Sequence, residues 1–290
     1  MRLLLYLTLL MVSLTAYASD ETSVEKSTMP KVAIVIDDMG YRQSDSLAFT
    51  LPTHVTFAIL PHTAQSGRFS AQAYGEGRTV ILHLPMETQQ PRNLGAGALV
   101  DSMDRQMMVD TFNRALATVP HAQGVNNHMG SKLTQLILPM TILMQTLQDN
   151  NLFFMDSRTT RYSKAFRIAK QSGVPAVQRR VFLDHEINAE FIDAQFDRLI
   201  RLAHKYGHAI GIGHPHPLTV ERLNLKLQHK YDVEFVSLSE MVAILHPSAA
   251  ENRPVMFANQ DANSDDEILR IEKPTASVTH KAAATLFSPF

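Results

Sequence analysis

The chain has 290 residues, room for one good-sized domain or two small ones. Apolar residues make up 45% and charged residues 19%, the balance of a globular protein with a real core, and a formal net charge of −1 offers no basic face for nucleic acid. Cysteine is absent, which excludes a disulfide scaffold, a thiol nucleophile and a Cys-ligated zinc site; any metal must sit on His, Asp, Glu or Asn, and thirteen histidines make that question worth asking.

Arg2 precedes an almost wholly apolar stretch, residues 3–14, and Ala16-Tyr17-Ala18 forms a small-x-small site before Ser19. This pattern predicts a secretory signal peptide over 1–18. The stretch is shorter than the roughly 20 residues of a membrane span, and no later segment is long and apolar enough. The expected chain is therefore exported, periplasmic or secreted, with no stable membrane span once the signal is removed. Residues 19–30 read as a polar linker.

The first strong element is Val32-Ala33-Ile34-Val35-Ile36, a β-branched run suited to a strand buried on both faces of a parallel sheet, ending in Asp37-Asp38-Met39-Gly40. A strand over 54–60, closed by Pro61, and a helix over 63–74 follow. A third strand, 79–82, runs into His83-Leu84-Pro85-Met86-Glu87. Residues 93–98 form a glycine-containing loop, and 104–117 an amphipathic helix with Met107, Met108, Phe112 and Leu116 inward. A short strand at 124–125 leads into Asn126-Asn127-His128-Met129-Gly130. A helix to about residue 150 precedes a strand over 152–155 that ends in Asp156-Ser157-Arg158. Another helix, a short strand over 174–177 and the run Val181-Phe182-Leu183 before Asp184-His185 come next. A long helix over 188–204 then closes at Gly207. A strand over 209–213 ends in His214-Pro215-His216, and a final strand (234–236) and helix (239–245) close the domain. Residues 247–290, poor in large apolar groups, read as a disordered tail. Strand–loop–helix alternation predicts a largely parallel α/β sheet with helices outside.

Strand after strand is apolar and ends in Asp, His or Asn. In barrels and open α/β sheets those C-terminal ends converge on one face, where sites are built. Two adjacent carboxylates, Asp37 and Asp38, repel unless something positive lies beside them; the pair either faces a cation or caps the next segment. If Pro85 opens a helical turn, His83 and Glu87 share a side and, beside Asp38, complete an Asp/His/Glu facial set for a metal. His214 either acts as a general acid or bonds a backbone carbonyl. His185 and His216 carry no such constraint.

These segments together, in this order, resemble the divergent polysaccharide deacetylase family, a distant branch of the polysaccharide deacetylases, over about residues 30–246. The resemblance implies a distorted parallel (β/α) barrel of about seven strands, irregular or incompletely closed. It implies Asp37 as catalytic base, Asp38 and His83 as metal ligands, and Glu87 in place of the superfamily's second histidine. His214 becomes the catalytic acid, with Asp156 orienting and charging it. The superfamily's Arg-Pro-Pro-Tyr-Gly segment is replaced by residues 126–131, which leaves His128 open as a substrate contact or a metal ligand; Asn127, His128 and Arg158 are the expected substrate contacts. The implied cofactor is one divalent ion, zinc first and manganese, iron or cobalt as alternatives. The implied activity is removal of N- or O-acetyl groups from an acetylated envelope glycan. A catalytically decayed glycan-binding or envelope-assembly protein on the same fold is the alternative, and a metallohydrolase of another ester or amide a third. Oligomeric state is not legible.

Overall fold

The computed structural model describes residues 29–247. The expected signal peptide and most of the linker, and the expected tail beyond residue 247, lie outside them.

Strand β1 (Lys31–Met39) is the hub. One edge pairs in parallel with β8 (His208–Gly213), from Lys31↔His208 to Ile36↔Gly213. The other edge is shared. The short β9 (Glu234–Phe235) takes Lys31 and Val32, and β2 (Thr56–Ile59) takes the end from Val35. Outward from β2 follow β3 (Val80–Met86), β4 (Ala122–Met129), β5 (Phe153–Asp156) and β6 (Ala176–Gln178). Beyond β8 lies β7 (Val181–Phe182). The path β6-β5-β4-β3-β2-β1-β8-β7 is parallel throughout and its two end strands do not pair. The expected parallel, incompletely closed α/β barrel is thus an eight-stranded half-barrel with a ninth strand beside β1.

The period of two along each strand separates the faces. Val32, Ile34 and Ile36 point to one side with Phe57, Leu82, Val125 and Phe154, and this side is covered by helices. α1 (Ser66–Gly75), α2 (Arg105–Ala117) and α3 (Ile137–Asp149) bring residues such as Phe69, Phe112 and Leu143 onto it. α4 (Ala165–Gln171), α5 (Ala189–Tyr206) and α6 (Pro217–Leu227) complete the cover. α5 shows why such a helix forms where it does. Asn188 caps its start by accepting from the Phe191 N–H at 2.8 Å, Ile192, Phe196, Leu199 and Ala203 recur on one stripe, and Gly207 at φ +77° ends it.

Ala33, Val35, Ala58, Ile81, Phe153, Met155, Ile210 and Ile212 point to the concave side and form a second apolar cluster. α7 (Leu238–Leu245) closes the bottom of this cluster with Leu238, Met241 and Val242; its start is fixed by a capping box between Ser237 and Glu240. The interior is therefore a packed plug, and space opens only above it.

The structure corrects several expected boundaries. β3 continues through Pro85 to Met86 instead of turning helical there, and β4 runs eight residues where only 124–125 was expected. Met107 is exposed, not inward. A 3₁₀ segment, Gln43–Thr50, and α6 carried no sequence expectation. Among the described residues no helix is long and apolar enough to cross a membrane.

Candidate functional site

Above the plug the same alternation continues, and the inward positions become polar. Val35 is followed by Asp37, Ile81 by His83, Gly124 by Asn126, Met155 by Ser157 and Ile212 by His214. Period two alone would point Asp38 at the helices. One extra residue between Ile36 and Met39 relative to β2 bulges the strand, and Asp38 takes φ +58°, which turns its carboxylate over the same opening. Met129 (φ +54°) and Arg158 (φ +52°) repeat this left-handed backbone at the rim. Non-glycine residues there carry strain of the kind that collects at functional sites.

Three side chains converge. Asp38 Oδ1 lies 3.1 Å from His83 Nε2 and 2.9 Å from His128 Nδ1, and the two nitrogens are 3.1 Å apart. Although buried, Asp38 Oδ1 accepts no well-directed hydrogen bond. Burial would raise the Asp38 carboxyl, but the contacts from His128 and His83 outweigh it and hold it well below the ordinary carboxylate range. Ligands about 2.0–2.1 Å from one ion stand roughly 2.9 Å apart in an octahedral face and about 3.4 Å apart in a tetrahedron. The observed triangle matches that scale, and its orphaned oxygen is what a cation would satisfy. Among the described residues this trio is the one His/Asp/Glu group close enough to hold a metal ion.

Asn126, fully buried, ties the trio to Asp37. Its Oδ1 lies 2.7 Å from His83 Nδ1, and its Nδ2 donates to Asp37 Oδ1 at 2.8 Å and to Ser157 Oγ at 3.2 Å. The amide oxygen can only accept, so Nδ1 of His83 carries a proton and the ring turns Nε2 toward the trio. Asp37 has its other oxygen 3.7 Å from His83 Nε2. Burial pushes the Asp37 carboxyl above its ordinary value, against the lowering pull of His83 and His214.

His214 stands on the opposite wall, its Nε2 3.9 Å from Asp38 Oδ2. Asp184, buried, takes its Nδ1 at 2.9 Å, its backbone N–H at 2.7 Å and the Thr219 hydroxyl at 3.0 Å. Burial alone would lower His214, but the hydrogen bond and charge of Asp184, helped by Asp38 and Asp37, lift it to about 9. The Phe182 ring stacks beside it at 6.3 Å.

The sequence profile of divergent polysaccharide deacetylases matches residues 34–242. The chain belongs to this family. An uncharacterized protein of Escherichia coli (strain K12), YibQ, is 39% identical over 234 residues, 80% of this chain and 73% of that protein. An uncharacterized protein of Haemophilus influenzae is 37% identical over 213 residues, 73% of this chain and 76% of its own. The crystal structure of the uncharacterized protein ATU2773 from Agrobacterium tumefaciens C58 superposes with a TM-score of 0.69 at 24% identity, covering 73% of this chain and 89% of that one, a likeness of fold.

Two expected members of the family site stand elsewhere. Glu87 is outside the trio. β3 is still extended at Met86, so four residues separate His83 from Glu87 by about 13 Å of strand rather than one helical turn. Its carboxylate is held by Lys132 Nζ at 2.8 Å and the Asp101 N–H at 2.7 Å; burial would raise its pKa, but these partners together outweigh it and hold the group below its ordinary value. Asp156 follows Phe154 in phase and so faces away from the opening. Its oxygens take the Arg158 N–H, the Ser163 hydroxyl and the Phe166 N–H, which fixes the loop into α4. Asp184 is the carboxylate on His214.

Of the expected substrate contacts, His128 is in the trio. Asn127 is committed to the frame, accepting from the Ser157 N–H and donating to the Met129 carbonyl, though it borders the opening. Arg158 shapes the rim with its backbone and is absent from the lining of the cleft. Sequence reasoning gave no role to Arg179, whose guanidinium holds the Ser157 and Arg158 carbonyls and lies 3.7 Å from the Phe182 ring centroid. Burial draws it down to about 10, opposed by the charges of Asp156 and Asp37.

Proposed function

We propose that this chain is an exported, metal-dependent hydrolase that removes acetyl groups from an envelope polysaccharide. The observation that carries the reading is the near-equilateral triangle of Asp38 Oδ1, His83 Nε2 and His128 Nδ1 with Asp37 on one side and His214 on the other. Membership of the divergent polysaccharide deacetylases supplies the reaction class.

Asp38, His83 and His128 would hold one divalent ion, zinc in our reading. When bound, such an ion polarises an acyl carbonyl and lowers the pKa of water. The chain's own residues divide the proton work. Asp37, one oxygen pinned by Asn126, keeps the other free to accept a proton from the attacking water. Its raised pKa suits a group that must first take a proton and then release it. His214 carries a proton at neutral pH and points Nε2 into the opening, so it can protonate the departing amine or alcohol. Asp184 holds that ring and balances its charge. The apolar plug below and the Phe182 ring beside His214 limit water to the open side.

The alternative, a glycan-binding protein on a decayed site, is disfavoured by the presence of base, acid and cation-sized triangle in one opening. The test is acetate release from N-acetylated and O-acetylated glycans by the exported chain loaded with zinc, beside Asp37→Asn. Turnover that falls at least about 10²-fold in the variant, with metal content kept, supports the reading. Turnover unchanged in Asp37→Asn contradicts it, and glycan binding without acetate release by the parent chain favours the alternative.

A further inference from the structure

The rim has an outer shoulder that the proton chemistry does not use. Two loops meet there, one after the carboxyl end of β4 and one after that of β5. The Thr159 hydroxyl donates to the Met129 carbonyl at 2.7 Å, and the Lys164 N–H donates to the Thr134 carbonyl at 2.8 Å. Ile137 lies three residues beyond that second bond and Tyr162 two residues before it, so the two positions stand within about 25 Å of each other.

The first loop leads into an apolar surface. Ile137 and Leu138 open α3 and are 59% and 69% exposed. A groove lined by Met103, Met108, Leu136, Pro139 and Ile142 continues that surface towards α2. Asp101, the one carboxylate on this groove, has Lys132 Nζ at 3.5 Å. Exposed aliphatic side chains grouped in this way mark a surface that binds something apolar. The second loop is basic. From Ser157 to Leu183 the chain carries seven Lys and Arg and no Asp or Glu, although its net charge is −1. Arg158, Arg161 and Lys164 open that run, and among the described residues none of the three forms an ion pair with a carboxylate. Tyr162 stands among them, 56% exposed; its hydroxyl accepts from the Arg161 guanidinium, whose centre lies 4.7 Å from the ring centroid.

The order is aliphatic, aromatic, cationic. A bilayer interface has the matching order in depth: acyl chains for Ile137 and Leu138, the headgroup level for a tyrosine, and anionic phosphates for Arg and Lys. An acidic protein would match the cations but has no reason to cover the aliphatic tip. We infer that this shoulder docks the chain on a bilayer that carries anionic phospholipids, with Ile137 and Leu138 as the inserted tip. No helix among the described residues is long and apolar enough to cross a membrane, so the contact these residues make is peripheral. Ser157 and Thr159 also line the opening, so docking holds the site close to the headgroups. The inference does not depend on which reaction the site performs.

The test mixes the exported full chain with vesicles of phosphatidylglycerol and phosphatidylethanolamine, or of phosphatidylcholine alone, and reads bound protein by co-sedimentation. Binding should be at least about tenfold tighter on the anionic vesicles and should weaken as salt rises. Ile137→Ser/Leu138→Ser and Arg161→Gln/Lys164→Gln should each lose about tenfold, with melting unchanged. Arg201→Gln/Lys230→Gln removes the same charge from α5 and from beyond α6, and should lose little. The chain has no tryptophan, so Leu138→Trp supplies a single reporter whose emission should shift to the blue on anionic vesicles. Equal binding to both kinds of vesicle, equal loss in the two charge-removing pairs, or unshifted emission from Leu138→Trp would overturn the inference. So would a dimer that fails to bind vesicles and dissociates in Ile137→Ser/Leu138→Ser on ultracentrifugation, because this face would then belong to a second copy.

Discussion

The lower and upper halves of the half-barrel interior are made by the same strands and the same alternation, yet obey different rules. Below, Ala33, Val35, Ile81, Phe153, Met155, Ile210 and Ile212 fill the space at close packing, with α7 as the stopper. Above, the next inward positions are Asp37, His83, Asn126, Ser157 and His214, and backbone at Asp38, Met129 and Arg158 adopts left-handed angles. The plug stabilises; the rim holds charge and strain that the plug makes tolerable. One consequence is that damage to the rim should change chemistry while sparing the fold, and damage to the plug the reverse.

The largest expected effect is on metal affinity. His128→Ala removes one of the three converging side chains proposed to hold the ion and should weaken zinc binding by more than about 10²-fold, since loss of even an outer partner costs 10–100-fold. Competition with a chromophoric chelator measures it, and melting of the metal-free protein should change little. Next comes the plug. Gly124 stands where a Cβ would meet the Phe153 ring at 2.4 Å, so Gly124→Ala should cost about 1–3 kcal/mol in urea denaturation, with metal affinity lowered only as far as the strand shifts. Equal stability in this variant would show that the plug is not close-packed at that point.

A smaller effect concerns His214. Its pKa is raised from 6.5 to about 9 in the folded chain, chiefly by Asp184 against burial, so it favours folding below about pH 6.5 and this contribution is lost as pH rises towards 9. In chelator-treated protein, Asp184→Asn should bring the His214 titration, followed by NMR, back towards its ordinary value. It should also flatten stability across that window; an unmoved titration would remove Asp184 as its partner. The smallest effect is expected at Glu87. Its ion pair with Lys132 is part-exposed, and Glu87→Ala should cost at most about 1 kcal/mol and leave zinc affinity intact. A hundredfold loss of zinc there would break the distinction between rim ligands and rim scaffolding.

Much of this was legible in the sequence for a physical reason. Continuous apolar runs ending in Asp, His or Asn mark buried parallel strands and the face at their carboxyl ends, and so Asp37, Asp38, His83, His128 and His214 could be placed on one rim. What was not legible depends on phase and on backbone detail. A proline just past a strand suits the first turn of a helix, but β3 runs through Pro85, and that difference separates His83 from Glu87. Asp156 and Asp184 look alike as strand-end carboxylates. Asp156 is out of phase with Met155 and Ser157, whereas Asp184 lies beside Gly213 and the α6 start, within reach of His214. Phase counted along each strand from the plug residues would have separated them. The bulge that turns Asp38 inward has no sequence mark beyond the Met39-Gly40 step that follows it.

The most direct test of the central claim is the ligand set of the zinc-loaded protein, read by anomalous diffraction at the zinc edge. The account predicts one ion bound by one carboxylate oxygen of Asp38, Nε2 of His83 and Nδ1 of His128, with Glu87 still on Lys132. An ion held by Glu87, or no ordered ion among Asp38, His83 and His128 in zinc-saturated crystals, would contradict it.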